Sequence, residues 1–84
     1  MRLDKYLKVS RLIKRRTVAN EACDNARIMV NGRVAKASYD VKVGDRISIQ
    51  FGSRALCVEV LAVAEAVRKD DASAMYREIT PEQP

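Results

Sequence analysis

The chain predicts an α+β fold: two short helices packed on a small, bent antiparallel β-sheet, followed by a short C-terminal tail. Three observations carry this. Leucines near the N-terminus recur with a helical period, Asn31-Gly32 sits between strand-forming residues, and residues 46–51 alternate polar and apolar. Eighty-four residues leave room for one small core and no second one.

Residues 3–9 read as the first helix, because Leu3 and Leu7 share a face and Asp4 can pair with Lys8 at i,i+4. Leu12 and Ile13 add an apolar anchor ahead of Lys14-Arg15-Arg16. Thr17 is expected to cap a second helix over roughly residues 18–25. Its Ala19, Ala22, Cys23 and Ala26 form a narrow stripe of small residues suited to close core packing. Ile28-Met29-Val30 reads as a strand, and Asn31-Gly32 ahead of Arg33-Val34 as a hairpin turn, since both turn residues tolerate positive φ.

Val41 to Asp45 reads as an extended stretch closed by a turn. In Arg46–Phe51 the alternation points Ile47, Ile49 and Phe51 at the core. Gly52-Ser53 turns the chain into a strand from Ala55 to Leu61, with Leu56, Val58 and Val60 on one face. Past Val67 the pattern changes. The domain is therefore expected over residues 1–67, and residues 68–84 as a mixed-charge tail with one helical turn (Ala72 to Tyr76) and a frayed end from Thr80 to Pro84.

Charge is distributed unevenly. The first sixteen residues hold seven basic side chains (Arg2, Lys5, Lys8, Arg11, Lys14, Arg15 and Arg16) against one carboxylate, Asp4, while the whole chain is only +5. Residues 17–46 are nearly balanced and residues 47–84 are acidic, with four basic and six acidic side chains. A surface built only for solubility mixes its signs, so this concentration is the footprint of a polyphosphate partner. Four aromatic residues (Tyr6, Tyr39, Phe51 and Tyr76) and no Trp make base stacking a poor principal mode, leaving recognition of RNA by backbone and shape.

Lys8, Arg11 and Arg15 are spaced i, i+3, i+7 and should form a stripe opposite the leucines. Arg15-Arg16-Thr17 stands at the entrance to the second helix, where free N–H groups and the positive dipole end suit a phosphate and two arginines add bidentate donors. Thr17 acting only as a cap, beside solvated arginines, is the plainer reading, and both can hold. Arg33 and Lys36, beyond the hairpin turn, either extend the RNA surface or are simply solvated. Asp4, among so many cations, is expected to orient Arg or Lys side chains and not to act as a catalytic acid.

The chain has no His, no Gly-rich phosphate loop and no nucleophile elbow. Cys23 and Cys57 belong to no Cys-x-x-Cys motif and read as small buried hydrophobes in a reducing compartment. No enzyme activity, metal or cofactor is expected. No apolar run approaches the ~20 residues that span a bilayer. The basic N-terminus also lacks the apolar stretch of a signal peptide, so a cytoplasmic location is expected.

Arg2-Leu3-Asp4-Lys5-Tyr6-Leu7, then Arg16-Thr17 leading a helix, then Ile28 to Gly32, then Val43-Gly44-Asp45-Arg46-Ile47, in that order, resemble the S4 RNA-binding domain over about residues 1–50. The resemblance implies the S4-like (alpha-L) fold, which agrees with the element reading. Within the family, the run RLDKYLKVSRLIKRRT, Ala35-Lys36-Ala37-Ser38 and Ala74-Met75-Tyr76 look like the short bacterial members of ribosome-associated quality control. That implies a non-enzymatic factor that binds obstructed large (50S) ribosomal subunits carrying peptidyl-tRNA. Such a factor contacts 23S rRNA and the tRNA, and stabilises the tRNA while a partner factor directs alanine tailing. A monomer is expected off the ribosome.

Carried over residue by residue, Arg2 and Arg16 are the first RNA contacts, with Asp4 supporting their geometry; Lys5, Lys8, Arg11, Lys14 and Arg15 follow. One departure stands out: the family commonly has Gly at the end of the second helix, where this chain has Asn25-Ala26. Asn25 is expected to take the left-handed position. Alternatives are a heat-shock-type S4 protein acting on large subunits with trapped nascent chains, a general rRNA- or tRNA-binding protein, a fragment of an RNA-modification enzyme, which would need a catalytic domain with an essential aspartate, and a module whose basic face meets acidic protein. The first has a longer, basic C-terminal extension, whereas this tail is short and acidic.

Overall fold

A computed structural model of the chain describes residues 1–65 and 67–79. In chain order the elements are α1 (Leu3–Val9), α2 (Arg16–Asp24), β1 (Ile28–Val30), β2 (Arg33–Val34), β3 (Arg46–Phe51), β4 (Arg54–Val60), a 3-10 helix (Lys69–Met75) and β5 (Tyr76–Ile79). The strands form one antiparallel sheet in the order β2-β1-β3-β4-β5. Leu3, Tyr6 and Leu7 of α1, Ala19 and Cys23 of α2, and Ile28, Ile47, Ile49, Val58 and Val60 of the sheet share a single core. The architecture is the α+β fold expected.

α1 spans the residues expected of it. α2 starts two residues early: Ala19 N–H already bonds to the Arg15 carbonyl at 3.1 Å, so Arg15 is the N-cap residue and Thr17 lies exposed in the first turn, capping nothing. Of the small-residue stripe, Ala19 and Cys23 are buried and Ala22 is half-buried, but Ala26 lies past the helix and is exposed. The left-handed residue after α2 is Ala26 (φ 58°) and not Asn25 (φ −90°). Arg27 N–H reaches the Ala22 carbonyl at 2.9 Å and Ala26 N–H the Cys23 carbonyl at 3.1 Å, the paired bonds of a Schellman end. Position and not residue preference decides which residue turns left-handed, because those two bonds require it one residue after the C-cap.

The β1–β2 hairpin turns at Asn31 (φ 53°) and Gly32 (φ 83°), as expected. Asn31 also ties the turn to β3: its Oδ1 accepts from Arg46 N–H at 3.0 Å and its Nδ2 donates to Asp45 Oδ1 at 3.1 Å. On β3, Ile47 and Ile49 are buried, but Phe51 is 46% exposed. Its parity is right. Phe51 pairs with Arg54 beside the Gly52-Ser53 turn, and the whole hairpin tip, residues 50–55, is exposed.

Residues 69–79 carry more secondary structure than their charge pattern implied. The expected helical turn belongs to the longer 3-10 helix, and Tyr76–Ile79 pair with β4 as a fifth strand. Ala72 and Met75 are buried, and the Met75 carbonyl accepts from Tyr6 Oη at 2.8 Å, Leu61 N–H at 2.8 Å and Ala62 N–H at 3.1 Å. The expected fraying of Thr80–Pro84 lies outside the described residues. Among the described residues no helix is long and apolar enough to cross a membrane.

Candidate nucleic-acid interface

α1 turns Asp4 inward, and its side chain is only 2% exposed. An isolated buried carboxylate is costly, so its oxygens must find donors. Arg2 supplies Nε to Oδ1 at 3.1 Å and Nη2 to Oδ2 at 3.3 Å, and Lys5 supplies its backbone N–H to Oδ1 at 2.8 Å. From α2, Asn20 Nδ2 reaches Oδ2 at 3.3 Å and Arg16 Nε lies 3.3 Å from the same oxygen. Burial pushes the carboxyl pKa up, but the bonds from Arg2, Asn20, Arg16 and the Lys5 backbone outweigh it, leaving a value of about 2.

Asp4 is thus an anionic staple between two guanidiniums carried at the N-terminal ends of different helices. The Arg2 and Arg16 side chains remain 50% and 47% exposed. Each presents a charged, planar fork outward with its inner edge fixed, which suits bidentate capture of phosphate oxygens. Among the described residues the Arg15 N-cap makes no side-chain cap bond, so the α2 N-terminus beside Arg16 keeps the orphan N–H groups of a helix start.

The remaining expected contacts fall into separate places. Lys8, Arg11 and Lys14 line one cleft with Val9, Glu65 and Val67. The expected stripe of Lys8, Arg11 and Arg15 does not form, because α1 ends at Val9 and Arg11 takes a left-handed backbone (φ 64°) that swings the chain out of helical register. Lys14 takes the place expected of Arg15, which is the exposed, extended N-cap of α2. Arg33 and Lys36 line a second groove, of about 650 Å³, beside Asn31, Val34, Ser38 and Tyr39. Lys5 is ion-paired to Glu65.

Two participants were not foreseen. Asn20 lies one helical turn after Arg16, so the i,i+4 spacing on α2 was a signal for it. Glu65 gave none, being sixty residues along the chain from Lys5. Cys23 is buried with its thiol pKa pushed up to about 11 by that burial and by Asp4 and Asp24, an inert packing group; Cys57 is half-buried.

The sequence model of the S4 domain matches residues 1–47. Over 84 residues the chain is 57% identical to the RQC P-site tRNA stabilizing factor of Halalkalibacterium halodurans, covering 100% of this chain and 94% of that one. It is 56% identical over 80 residues to the protein of the same name from Streptococcus pneumoniae, covering 95% of this chain and 91% of that one. Among solved structures, the trimeric Heat Shock Protein 15 of Vibrio cholerae superposes with a TM-score of 0.87 at 29% identity, covering 94% of this chain and 81% of that one.

Proposed function

The chain belongs to the S4 domain family, and on that premise we propose that it is a non-enzymatic RNA-binding factor of ribosome-associated quality control. The observation that carries the reading is the arginine pair clamped by Asp4: two outward guanidiniums held in a fixed relation by a buried carboxylate. Such a pair recognises a phosphate backbone by charge and fork geometry and offers no group for bond chemistry. Its work is positional. It binds obstructed large subunits carrying peptidyl-tRNA, bridges the tRNA and 23S rRNA, and lowers the free energy of one tRNA placement while a partner factor extends the nascent chain with alanine. The names of the relatives above, P-site tRNA stabilizing factors, support that placement.

The heat-shock reading is favoured by the superposition on Heat Shock Protein 15, but identity drops from 57% to 29% on going to that protein. We give precedence to the first.

Arg16→Ala tests it. The variant keeps four of the five donors to Asp4 and is expected to melt within a few degrees of the wild type. Its affinity for large subunits should fall at least ~10-fold, since a hydrogen bond to a charged group contributes about 1.5–3 kcal/mol. Its log–log salt slope should be shallower by about 1, the effect of one lost phosphate contact. Undiminished co-sedimentation of Arg16→Ala with large subunits, in cells lacking the wild type, overturns the reading.

A further inference from the structure

The cleft beside the C-terminal end of α1 holds about 610 Å³ and is lined by Lys8, Val9, Arg11, Lys14, Glu65 and Val67. Among the described residues, Lys8, Arg11 and Lys14 make no ion pair. All three are exposed. Arg11 is held there at φ 64°, where a residue with a side chain is disfavoured by about 1–2 kcal/mol. Three like charges around one open cleft repel each other unless an anion joins them.

One anion is already present. Glu65, on the connection that follows β4, has its side chain 76% exposed and its carboxylate on the Lys5 ammonium. Lys5 precedes Lys8 by three residues on α1, so both project to the same side about 4.5 Å apart along the axis. A carboxylate on an ammonium presents two oxygens sharing one negative charge. The phosphodiester of a nucleic-acid backbone presents the same.

We infer that Glu65 occupies, in the free protein, the position on Lys5 that a backbone phosphodiester of bound RNA takes. An RNA strand entering the cleft displaces Glu65 and adds Lys5 to Lys8, Arg11 and Lys14 as a second seat, beyond the Arg2–Arg16 pair. The inference rests on the RNA-binding reading above. The ion pair offers little resistance, because exposed pairs of this kind contribute about 0–1 kcal/mol. Glu65 therefore weakens binding modestly and selects for partners that bring a phosphate to Lys5.

The experiment is a binding titration of bulk deacylated tRNA with the wild type, Glu65→Gln, Lys5→Ala, the double variant and Arg16→Ala, each checked for an unchanged thermal melt. Glu65→Gln is expected to tighten binding about 2–5-fold, the equivalent of removing one exposed ion pair from the unbound state. Lys5→Ala should then cost about 2–5-fold more in the Glu65→Gln protein than in the wild type, because only there does the full phosphate contact register. If Glu65→Gln leaves the affinity unchanged while Arg16→Ala still cuts it, the inference falls and the RNA-binding reading stands. Tightening of the same size in the absence of Lys5 also overturns it, since Glu65 then acts through the general field. Tightening toward polyglutamate but not tRNA assigns the cleft to acidic protein and overturns it as well. If the wild type does not bind the RNA, the reading itself fails and takes the inference with it.

Discussion

A buried carboxylate is stable only while its donors hold it ionised, and Asp4 meets that condition with two arginines, an amide and a backbone N–H. Its folded pKa of about 2 lies below the ordinary carboxylate value of 3.8, so the unfolded chain binds this proton more readily than the folded one. The resulting stability is fully present above about pH 4 and is lost as the pH falls through about 2, amounting to about 2 kcal/mol. Asp40, on the N-terminal amine, and Glu65, on Lys5, are also shifted down, so acid weakens the protein at several points. Asp4→Asn isolates one of them. Urea unfolding at pH 4.5 and pH 2.5 should show the variant markedly less stable than the wild type at the first pH, with most of that gap closed at the second. A gap that does not depend on pH means that the carboxylate's charge contributes nothing. Asp4 among cations was legible from its neighbours in the chain. That Arg16 closes the other side of it was implied by the family resemblance and not by residue spacing, because the contact depends on how α2 docks against α1.

At the scale of elements, both helices end on a non-glycine residue with positive φ, Arg11 after α1 and Ala26 after α2. Helix placement and the hairpin were readable because leucine spacing and Asn31-Gly32 are local signals. Helix ends were harder. They depend on which carbonyls remain unpaired, and that shifted the left-handed residue from Asn25 to Ala26 and broke the expected Lys8–Arg11–Arg15 stripe. The two positions give a matched test. Ala26 is exposed, so Ala26→Gly removes a Cβ penalty without losing packing and is expected to raise stability by about 0.5–1 kcal/mol, a few degrees in Tm. Asn25→Gly, at φ −90°, relieves nothing and should destabilise slightly. Arg11→Gly obeys the same backbone argument but deletes a cation from the cleft, so its stability should rise while its RNA affinity falls. Thermal melts and tRNA titrations of the three variants check this; loss of stability in Ala26→Gly would refute the helix-end geometry.

For the whole molecule, the family match stops at residue 47, but the core does not. β4 is flanked by β3 and β5, and the segment from Lys69 to Ile79 supplies two buried side chains, a strand, and the carbonyl that takes the Tyr6 hydroxyl. Mixed charge disguised this in the sequence: Arg68, Asp70 and Asp71 lie exposed around buried Ala72 and Met75, and the alternation that marks β3 and β4 is absent from Tyr76–Ile79. A chain cut after Val67 therefore tests whether residues 1–67 fold alone. Removing the rest strands the buried Tyr6 hydroxyl without its acceptor, a cost of about 1–3 kcal/mol. It also strips Met75 from the core, worth about 2–5 kcal/mol by analogy with large-to-small substitutions. Against the ~5–15 kcal/mol that typically holds a small domain, that loss should drop the Tm by more than ~10 °C or abolish the cooperative melt. Tyr6→Phe in the full chain should cost only about 1 kcal/mol, because the Met75 carbonyl keeps its bonds from Leu61 and Ala62. A truncated chain that melts like the full one would place the limit of the folding unit at residue 67. A chain that fails to melt cooperatively while Tyr6→Phe remains near wild type shows that the C-terminal strand and its buried methionine complete the platform on which the arginine pair stands.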